Sequence, residues 1–521
     1  MKRKRQSRPS GRQLPPPKPP GEDLPPRRRW IGITAAAVAA VGFFALLRLL
    51  APLPWDYDEF YHVGLARELH GGMPAGFHWT PFSLMYEHFV DPVPLFHLLL
   101  MPFAGLSIEH AALAGALLGQ LLVVGSFAWV LWRLEVPYAS IFVLALTAMG
   151  TDFAARMAMC RPHHGEIGFS ILFLGLLVLD ASPVALAVVA AAFGLFHASG
   201  WMPVLFAAIW LVANYSVPIV PAWRRWAGVA ASALGWLVSQ LVHPAFPYNL
   251  RLLWFVNVTV LRQSAGGDMG LRSQVPSELQ PLSGDLLFEQ WPTLLAAAGL
   301  VALLALSPTW RRRQVVVIGG LAMAFLFAGV FLWRRFFELA APLTLLALAL
   351  GTLELPGSPA RRKPEKSTLA AFVVLIVMAS TFTFARLHKL RIGTISPPTA
   401  MSEWLAEHGR AGERVFTANW ADSEPLFYYA PQLQSLVALD PTAFWIVDPE
   451  RFGLYVRIIE GREIHPARAI RERFGARWVT IWKVPAYRTF ARELASSGEA
   501  TVAFADPFYL VFDLGEPHTS H

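Results

Sequence analysis

The chain has 521 residues, 55% of them hydrophobic and only 15% charged, with 19 Trp and 36 Phe. Soluble globular chains carry nearer a quarter charged residues, so this composition excludes an ordinary soluble protein and reads as a polytopic α-helical membrane protein. A single cysteine, Cys160, excludes an intramolecular disulfide framework and a thiolate zinc site, and the net charge of +8 is no nucleic-acid signature, because ten Lys and Arg lie in the first 29 residues.

Residues 1–29, MKRKRQSRPSGRQLPPPKPPGEDLPPRRR, are basic, Pro-rich and aperiodic, which predicts a disordered cytoplasmic tail. No signal-peptidase site follows the first apolar run, which is read as a retained anchor. A crossing needs about 20 apolar residues. The apolar runs predict about eleven transmembrane helices, near 30–50, 111–132, 137–150, 166–180, 183–198, 201–219, 226–243, 291–308, 314–332, 338–355 and 367–385. The third to fifth are short, as paired segments that reach only partway are.

With the amino terminus inside, Arg133, Arg224-Arg225, Arg311-Arg312-Arg313 and Arg361-Arg362-Lys363 fall on the cytoplasmic side, as the positive-inside rule asks. The same alternation puts on the outer face the loop 51–110, the segment 151–167, the turn 197–201, the loop 243–290, Arg334-Arg335 and everything after about 386. The unusual polar groups therefore share one side, and ionisable residues beside hydrocarbon, each costing about 2.5–3.5 kcal/mol, mark sites or pathways. The expected organisation is a transmembrane domain over 30–385 and an extracytoplasmic α/β domain over 386–521. The latter alternates strand patterns (RVFTANW, RWVTIWKV, FYLVFDL) with helical ones (MSEWLAEHG, YRTFARELASSG).

The stretch PWDYDEFYHVGLAREL, 54–69, sets Asp56, Asp58 and Glu59 directly after the first apolar run. Such charges are solvated loop residues in many chains. Here the apolar spacing from Tyr61 to Leu69 predicts a helix lying along the membrane surface, with Asp58 and Glu59 in its first turn, where the dipole favours a carboxylate. The run Asp58 to Leu69 resembles the first outer loop of GT-C fold membrane glycosyltransferases, above all the protein O-mannosyltransferases and the bacterial transferases that move aminoarabinose onto lipid A. In those groups an Asp-Glu pair opens a surface helix ending in Ala-Arg-Glu. The resemblance implies that Asp58 is the catalytic carboxylate, that Glu59 supports it and that Asp56 completes the acidic group. It also implies a sugar carried on polyprenyl phosphate, attacked by an acceptor hydroxyl whose proton an aspartate takes. The transition state is oxocarbenium-like, and nearby negative charge stabilises it.

A phosphate leaving group calls for cations. Arg156 and Arg161, followed by His163 and His164, and the pair Arg334-Arg335 before Glu338, are the candidates, since arginine binds phosphate bidentately and stays charged near lipid. A headgroup anchor is the plain alternative for Arg334 and Arg335. His62, His78, His88, His97, His163, His164, His197 and Glu166 could hold a divalent metal, but no HExxH-like spacing is present, and hydrogen-bonding histidines are the simpler expectation. No cofactor is called for by any motif.

Where the named transferases carry Lys-Pro-Pro-Leu, this chain reads Asp91-Pro92-Val93-Pro94-Leu95-Phe96-His97, so the lysine is absent and Asp91 and His97 occupy its neighbourhood. The segments HWTPFSLMYEHFVDPVPLFHLLLMPF, FAARMAMCRP and RRFFELAAPL, with the tail RVFTANWADSEPLFYYAPQLQSLVALDPTAFW, also resemble a group of bacterial GT-C-like membrane proteins without assigned substrates. In the tail, Asn419 to Asp422 and Leu439 to Thr442 are expected at strand ends. The aromatic run 426–429 is core or a sugar platform. Residues 262–285 read as a lid over the site.

The leading expectation is an inverting glycosyltransferase in the bacterial inner membrane, with a lipid-linked sugar donor, a lipid, glycan or protein acceptor, and no nucleic-acid partner. A flippase for lipid-linked sugars and a non-catalytic polysaccharide-assembly protein are the alternatives.

Overall fold

The computed structural model describes the chain except residues 1–25, 51–54, 216–221, 261, 263–276, 308–311, 354–365, 393–397, 438–440 and 517–521. Most of the basic tail, the Arg361-Arg362-Lys363 cluster, most of the expected lid and the Leu439-Asp440 strand end therefore lie outside the described residues.

Each predicted apolar run contains a helix. The long ones are α1 (Pro26–Leu49), then, past α2 (Asp58–Glu68) and α3 (Pro94–Leu100), α4 (Ile108–Arg133), with Arg313–Phe331 and Lys366–Ile392 further along. Among the described residues these four alone are long and apolar enough to cross a membrane by length and composition. A fifth is counted if α5 (Ala139–Ala145) with its 3-10 extension and α6 (Thr151–Ala158), bent by 92°, make one span. The other apolar runs form shorter helices: α7 (His163–Val178), α8 (Pro183–Phe196), α9 (Met202–Ala213), α10 (Ala222–Leu241), Trp291–Leu306 and Phe337–Gly351. α11 (Tyr248–Trp254) follows α10.

The reason for shortness is local punctuation. Asp180 takes a left-handed φ of 51° just past α7, and Ser182 caps α8, its Oγ accepting from Ala185 N at 3.3 Å. The chain thus reverses within a few residues, and the 16 residues of α7 reach only about 24 Å. The segment 151–158, expected as outer loop, is the helix α6, which turns away at Gly150.

The bundle core joins α1, α4, α5, α7 and Phe337–Gly351 through Phe44, Phe127, Val143, Phe173, Leu343 and their neighbours. Close approach needs glycine in two places on α4. A Cβ at Gly119 would run into the His164 ring, and one at Gly115 into Cys160 Sγ. α4 therefore passes directly beneath the segment that carries Arg156 and Arg161.

The tail builds a five-stranded mixed sheet in the order β2-β1-β3-β5-β4. β1 (Arg414–Thr417) pairs in parallel with β2 (Gln434–Ser435) and β3 (Ala476–Trp482), while β5 (Tyr509–Asp513) runs antiparallel to β3 and β4 (Thr501–Ala505). Alternation along the strands divides their side chains between two cores. Phe416, Val479 and Ile481 face the helices that carry Phe452 and Phe490. Val415, Trp478 and Val511 face the other way, onto Tyr61 and Leu65 of α2 and Leu69 just past its end.

That second face positions the site. α2 was expected to be a surface helix with one apolar stripe, yet Glu59 through Ala66 are all buried. Phe60, Val63 and Ala66 pack on α3, α4 and Cys160. Tyr61 and Leu65 pack on the sheet side. Apolar side chains on both faces, each contributing about 1.5–3 kcal/mol when fully buried, hold α2 between bundle and sheet.

Candidate functional site

The first turn of α2 carries Asp58, preceded by Asp56, and both carboxylates pair with Arg161, which stands in the short link between α6 and α7. Arg161 Nη1 also donates to Glu278 Oε2 at 2.9 Å. Arg156, in the last turn of α6, donates to the same Glu278 oxygen and lies 2.9 Å, through Nε, from Glu338 Oε1. Two guanidinium groups thus converge on one carboxylate oxygen, with Asp58 on one flank and Glu338 on the other. Six residues from four separate stretches of chain meet here.

The electrostatics follow from crowding. Burial pushes the Asp58 carboxyl up to about 7; Arg161 opposes that shift, while Asp56 and Glu278 add to it. Its side chain keeps 29% of its surface, so the acid is enclosed by protein yet reachable. Burial also disfavours charge on Glu278, but Arg156, Arg161 and Arg335 outweigh it and hold that carboxyl well below the usual range. The pairing keeps Glu278 an anion, while the Asp58 carboxyl sits close to neutrality.

The remaining candidates divide. Glu59, expected to assist Asp58, is fully buried and turned elsewhere: it accepts from Arg48 Nη1 at 2.7 Å and Nη2 at 3.1 Å, Trp55 N at 3.0 Å and Cys160 N at 2.8 Å. Its oxygens are saturated, and any help it gives Asp58 is by fastening the start of α2 to the end of α1 and to Cys160. Arg334 does not join the cluster; its Nε donates to Asp152 Oδ2 at 2.7 Å, which ties the start of Phe337–Gly351 to α6. Arg335 lies 3.9 Å from Glu166, itself 3.8 Å from His197.

His163 and His164 shape the arginine segment. His163 Nε2 meets Arg156 O at 2.9 Å and His164 Nδ1 meets Arg161 O at 2.8 Å. His62, His97 and Asp91 form a separate buried chain: His62 Nδ1 to His97 Nε2 at 2.8 Å, and His97 Nδ1 to Asp91 Oδ2 at 2.8 Å. Among the described residues no three His, Cys, Asp or Glu side chains converge as a metal cage requires.

In the tail, Phe427 of the aromatic run packs on Tyr61, Phe77 and Trp79, and Tyr428 takes a hydrogen bond from Arg67 Nη2 at 2.6 Å, so the run joins sheet to α2. Asp422 is buried and accepts from Tyr509 Oη at 3.1 Å and Asn419 Nδ2 at 2.8 Å. Burial pushes its carboxyl up to about 7 against those hydrogen bonds.

Glu278 is the residue that sequence reasoning missed. It sits at the end of a polar loop with no motif around it, and only its distance to Arg156 and Arg161 reveals it. A small cleft lined by Val90, Pro92, His243 and Asn249 among others flanks Asp91 and not the arginine cluster. The cluster is closed by its own ion pairs.

No protein-family model matches the sequence, and no curated protein matches it significantly. Solved structures do. ArnT from Cupriavidus metallidurans in the apo state superposes with a TM-score of 0.55 at 16% identity, covering 94% of this chain and 98% of that one. The arabinofuranosyltransferase AftD from mycobacteria gives a TM-score of 0.54 at 17% identity over 94% of this chain, which spans only 42% of AftD. The arrangement of helices and tail sheet that brings Asp58 to the arginines is therefore the GT-C fold of membrane glycosyltransferases, as the Asp58–Leu69 resemblance implied.

Proposed function

We propose that the chain is a membrane glycosyltransferase that takes a sugar from a polyprenyl-phosphate donor and passes it to a hydroxyl of a lipid, glycan or protein, with Asp58 as general base. The observation that carries this reading is the meeting of a carboxyl shifted to about 7 with two arginines that already share one anionic oxygen, that of Glu278. A donor phosphate presents the same ligand to Arg156 and Arg161, and Glu278 yields to it. The acceptor's O–H bond then breaks as its oxygen bonds to the anomeric carbon, and the proton goes to Asp58. The bond from that carbon to the phosphate oxygen breaks, its electron pair leaving on the lipid phosphate, where the guanidinium groups stabilise it.

In this reading all eleven apolar helices enter or cross the bilayer. The amino terminus is cytoplasmic, residues 30–385 form the membrane domain, and 386–521 stand outside the inner membrane of a bacterium. Donors anchored by a polyprenyl tail explain why the acidic group sits beside the ends of apolar helices. The name of AftD, an arabinofuranosyltransferase, favours a pentose over a hexose as the group moved. The test is release of polyprenyl phosphate from polyprenyl-phosphate pentoses and hexoses by the full chain in vesicles of bacterial lipid. Wild type is expected to release it and Asp58→Asn to fail; release at the wild-type rate by Asp58→Asn ends the assignment.

A further inference from the structure

The turn that presents Asp58 is fastened from two sides. Tyr57 stands between Asp56 and Asp58 and directly precedes α2, whose first turn has no side-chain cap. Its backbone is tied locally, Glu59 N donating to Asp56 O at 3.3 Å and Phe60 N to Tyr57 O at 2.9 Å. Side chains step by about 100° per residue around a helix, so the direction of Asp58 depends on how both its neighbours are held. Glu59 is held by the bundle, through Arg48 and Cys160 N. Tyr57 is held by the tail sheet, where its hydroxyl hydrogen-bonds with that of Tyr509 on β5.

The tail side of this link is built for one arrangement. Tyr509 is buried and donates to Asp422 Oδ1 at 3.1 Å, and Asn419 Nδ2 donates to the same oxygen at 2.8 Å. Asp422 Oδ2 is buried with no hydrogen-bond partner. A phenol has a single proton, and that of Tyr509 is committed to Asp422, so Tyr509 Oη has only lone pairs to offer and the Tyr57 O–H is the donor between the two tyrosines. Burial lifts both hydroxyls above the usual tyrosine range, so both protons stay in place. The chain from Tyr57 through Tyr509 to Asp422 therefore has one polarity, and it joins the residue between two site carboxylates to the core of the tail.

Resting on the transferase reading, we propose that Tyr57, Tyr509 and Asp422 form a latch by which the tail domain sets the direction of Asp58 toward the acceptor hydroxyl. All three are positioning residues, acting through Asp58. With the latch made, the Asp56–Asp58 turn is held between Arg161, which pairs with both acids, and Asp422 in the tail. With the latch open, both acids keep Arg161, but the turn is free to pivot on that guanidinium and the base no longer meets the acceptor at one angle. Misplacing a catalytic group lowers the rate of the chemical step, while donor binding, which falls to the arginines, is left as it was. The tail is thereby a working part of the catalytic site.

The test is polyprenyl phosphate release by the full chain in vesicles, with wild type, Tyr57→Phe, Tyr509→Phe, the double variant and Tyr455→Phe side by side. Each latch variant removes one hydroxyl and keeps the ring. The latch predicts that Tyr57→Phe and Tyr509→Phe each lower kcat about tenfold, the worth of one hydrogen bond, with the donor KM changed less than about twofold. The double variant should be no slower than either single one, because the two hydroxyls make one link. Tyr455→Phe deletes another buried tail hydroxyl, which donates to Thr417 O at 3.0 Å, and should lower the melting temperature without lowering kcat. Wild-type kcat in Tyr57→Phe, losses that add in the double variant, or an equal loss in Tyr455→Phe overturns the latch and leaves the transferase reading standing; absence of release by wild type overturns both. Should Tyr509→Phe not fold, Tyr57→Phe decides alone: a fall in kcat at constant KM upholds the latch, and any other result overturns it.

Discussion

Replacing Glu278 by Gln tests whether its carboxylate holds the seat of the donor phosphate. The substitution keeps an acceptor oxygen between Arg156 and Arg161 but removes its charge. Hydrogen bonds to charged groups contribute about 1.5–3 kcal/mol each, and neutral acceptors give roughly half of that. Glu278 makes two such bonds, at 2.5 Å to Arg156 and 2.9 Å to Arg161. An incoming anion must break both, so the variant lowers the barrier to its binding by about 1.5–3 kcal/mol in total. At about 1.4 kcal/mol per factor of ten, the affinity for polyprenyl phosphate should rise about tenfold to a hundredfold. Intrinsic fluorescence of the 19 Trp during titration with polyprenyl phosphate in detergent measures it directly. Unchanged or weaker binding by Glu278→Gln would refute the idea that the two ligands compete for one seat.

Asp58→Asn should cut transfer by about a hundredfold or more while the melting temperature stays close to wild type, since Arg161 keeps Asp56 and Glu278 as partners. Because the Asp58 carboxyl lies near 7, wild-type transfer should fall as pH drops through that value and the base becomes protonated, read as a pH–rate profile in vesicles. Burial raises the Asp422 carboxyl from 3.8 to about 7, so the fold binds this proton more tightly than the unfolded chain and stability falls as pH rises between those values. Its stabilising effect is thus complete below about 4 and is lost as pH rises through about 7. Melting temperatures at pH 5 and pH 8 should differ in wild type and by less in Asp422→Asn, where the raised Asp58 carboxyl still titrates; an equal gap in both would exclude Asp422 as a source. Arg48→Met should destabilise the fold by about 3–5 kcal/mol, because it strands the buried carboxylate of Glu59, and Arg48→Met with Glu59→Gln should recover part of that loss in thermal unfolding.

The sequence by itself determined what depends on neighbours along the chain. Runs of Ala, Leu and Phe dictate apolar helices wherever they occur, and each of the eleven predicted runs contains one. Alternation in RVFT, ARWVTIW and YLVFD dictates β1, β3 and β5. The two-residue β2 and the exposed edge strand β4 carry too little pattern to be read. The Asp58–Leu69 stretch was legible as a helix opening on two acids, and with it the fold.

Only the tertiary structure decided which charges share a site. Glu59 and Arg334, both named as site residues from the sequence, are drawn off by Arg48 and Asp152, while Glu278, in the segment read as a lid, links Arg156 to Arg161. Side-chain direction on a first helical turn changes by about 100° per residue, so neighbours such as Asp58 and Glu59 face different partners. Likewise α2 became a buried strut because the sheet packs on the side left uncovered by the bundle, a contact between residues more than 350 apart, such as Gly64 with Phe427, to which no local pattern refers. Coulomb attraction and packing act across space without regard to chain order, and the ion-pair cluster is where that independence shows.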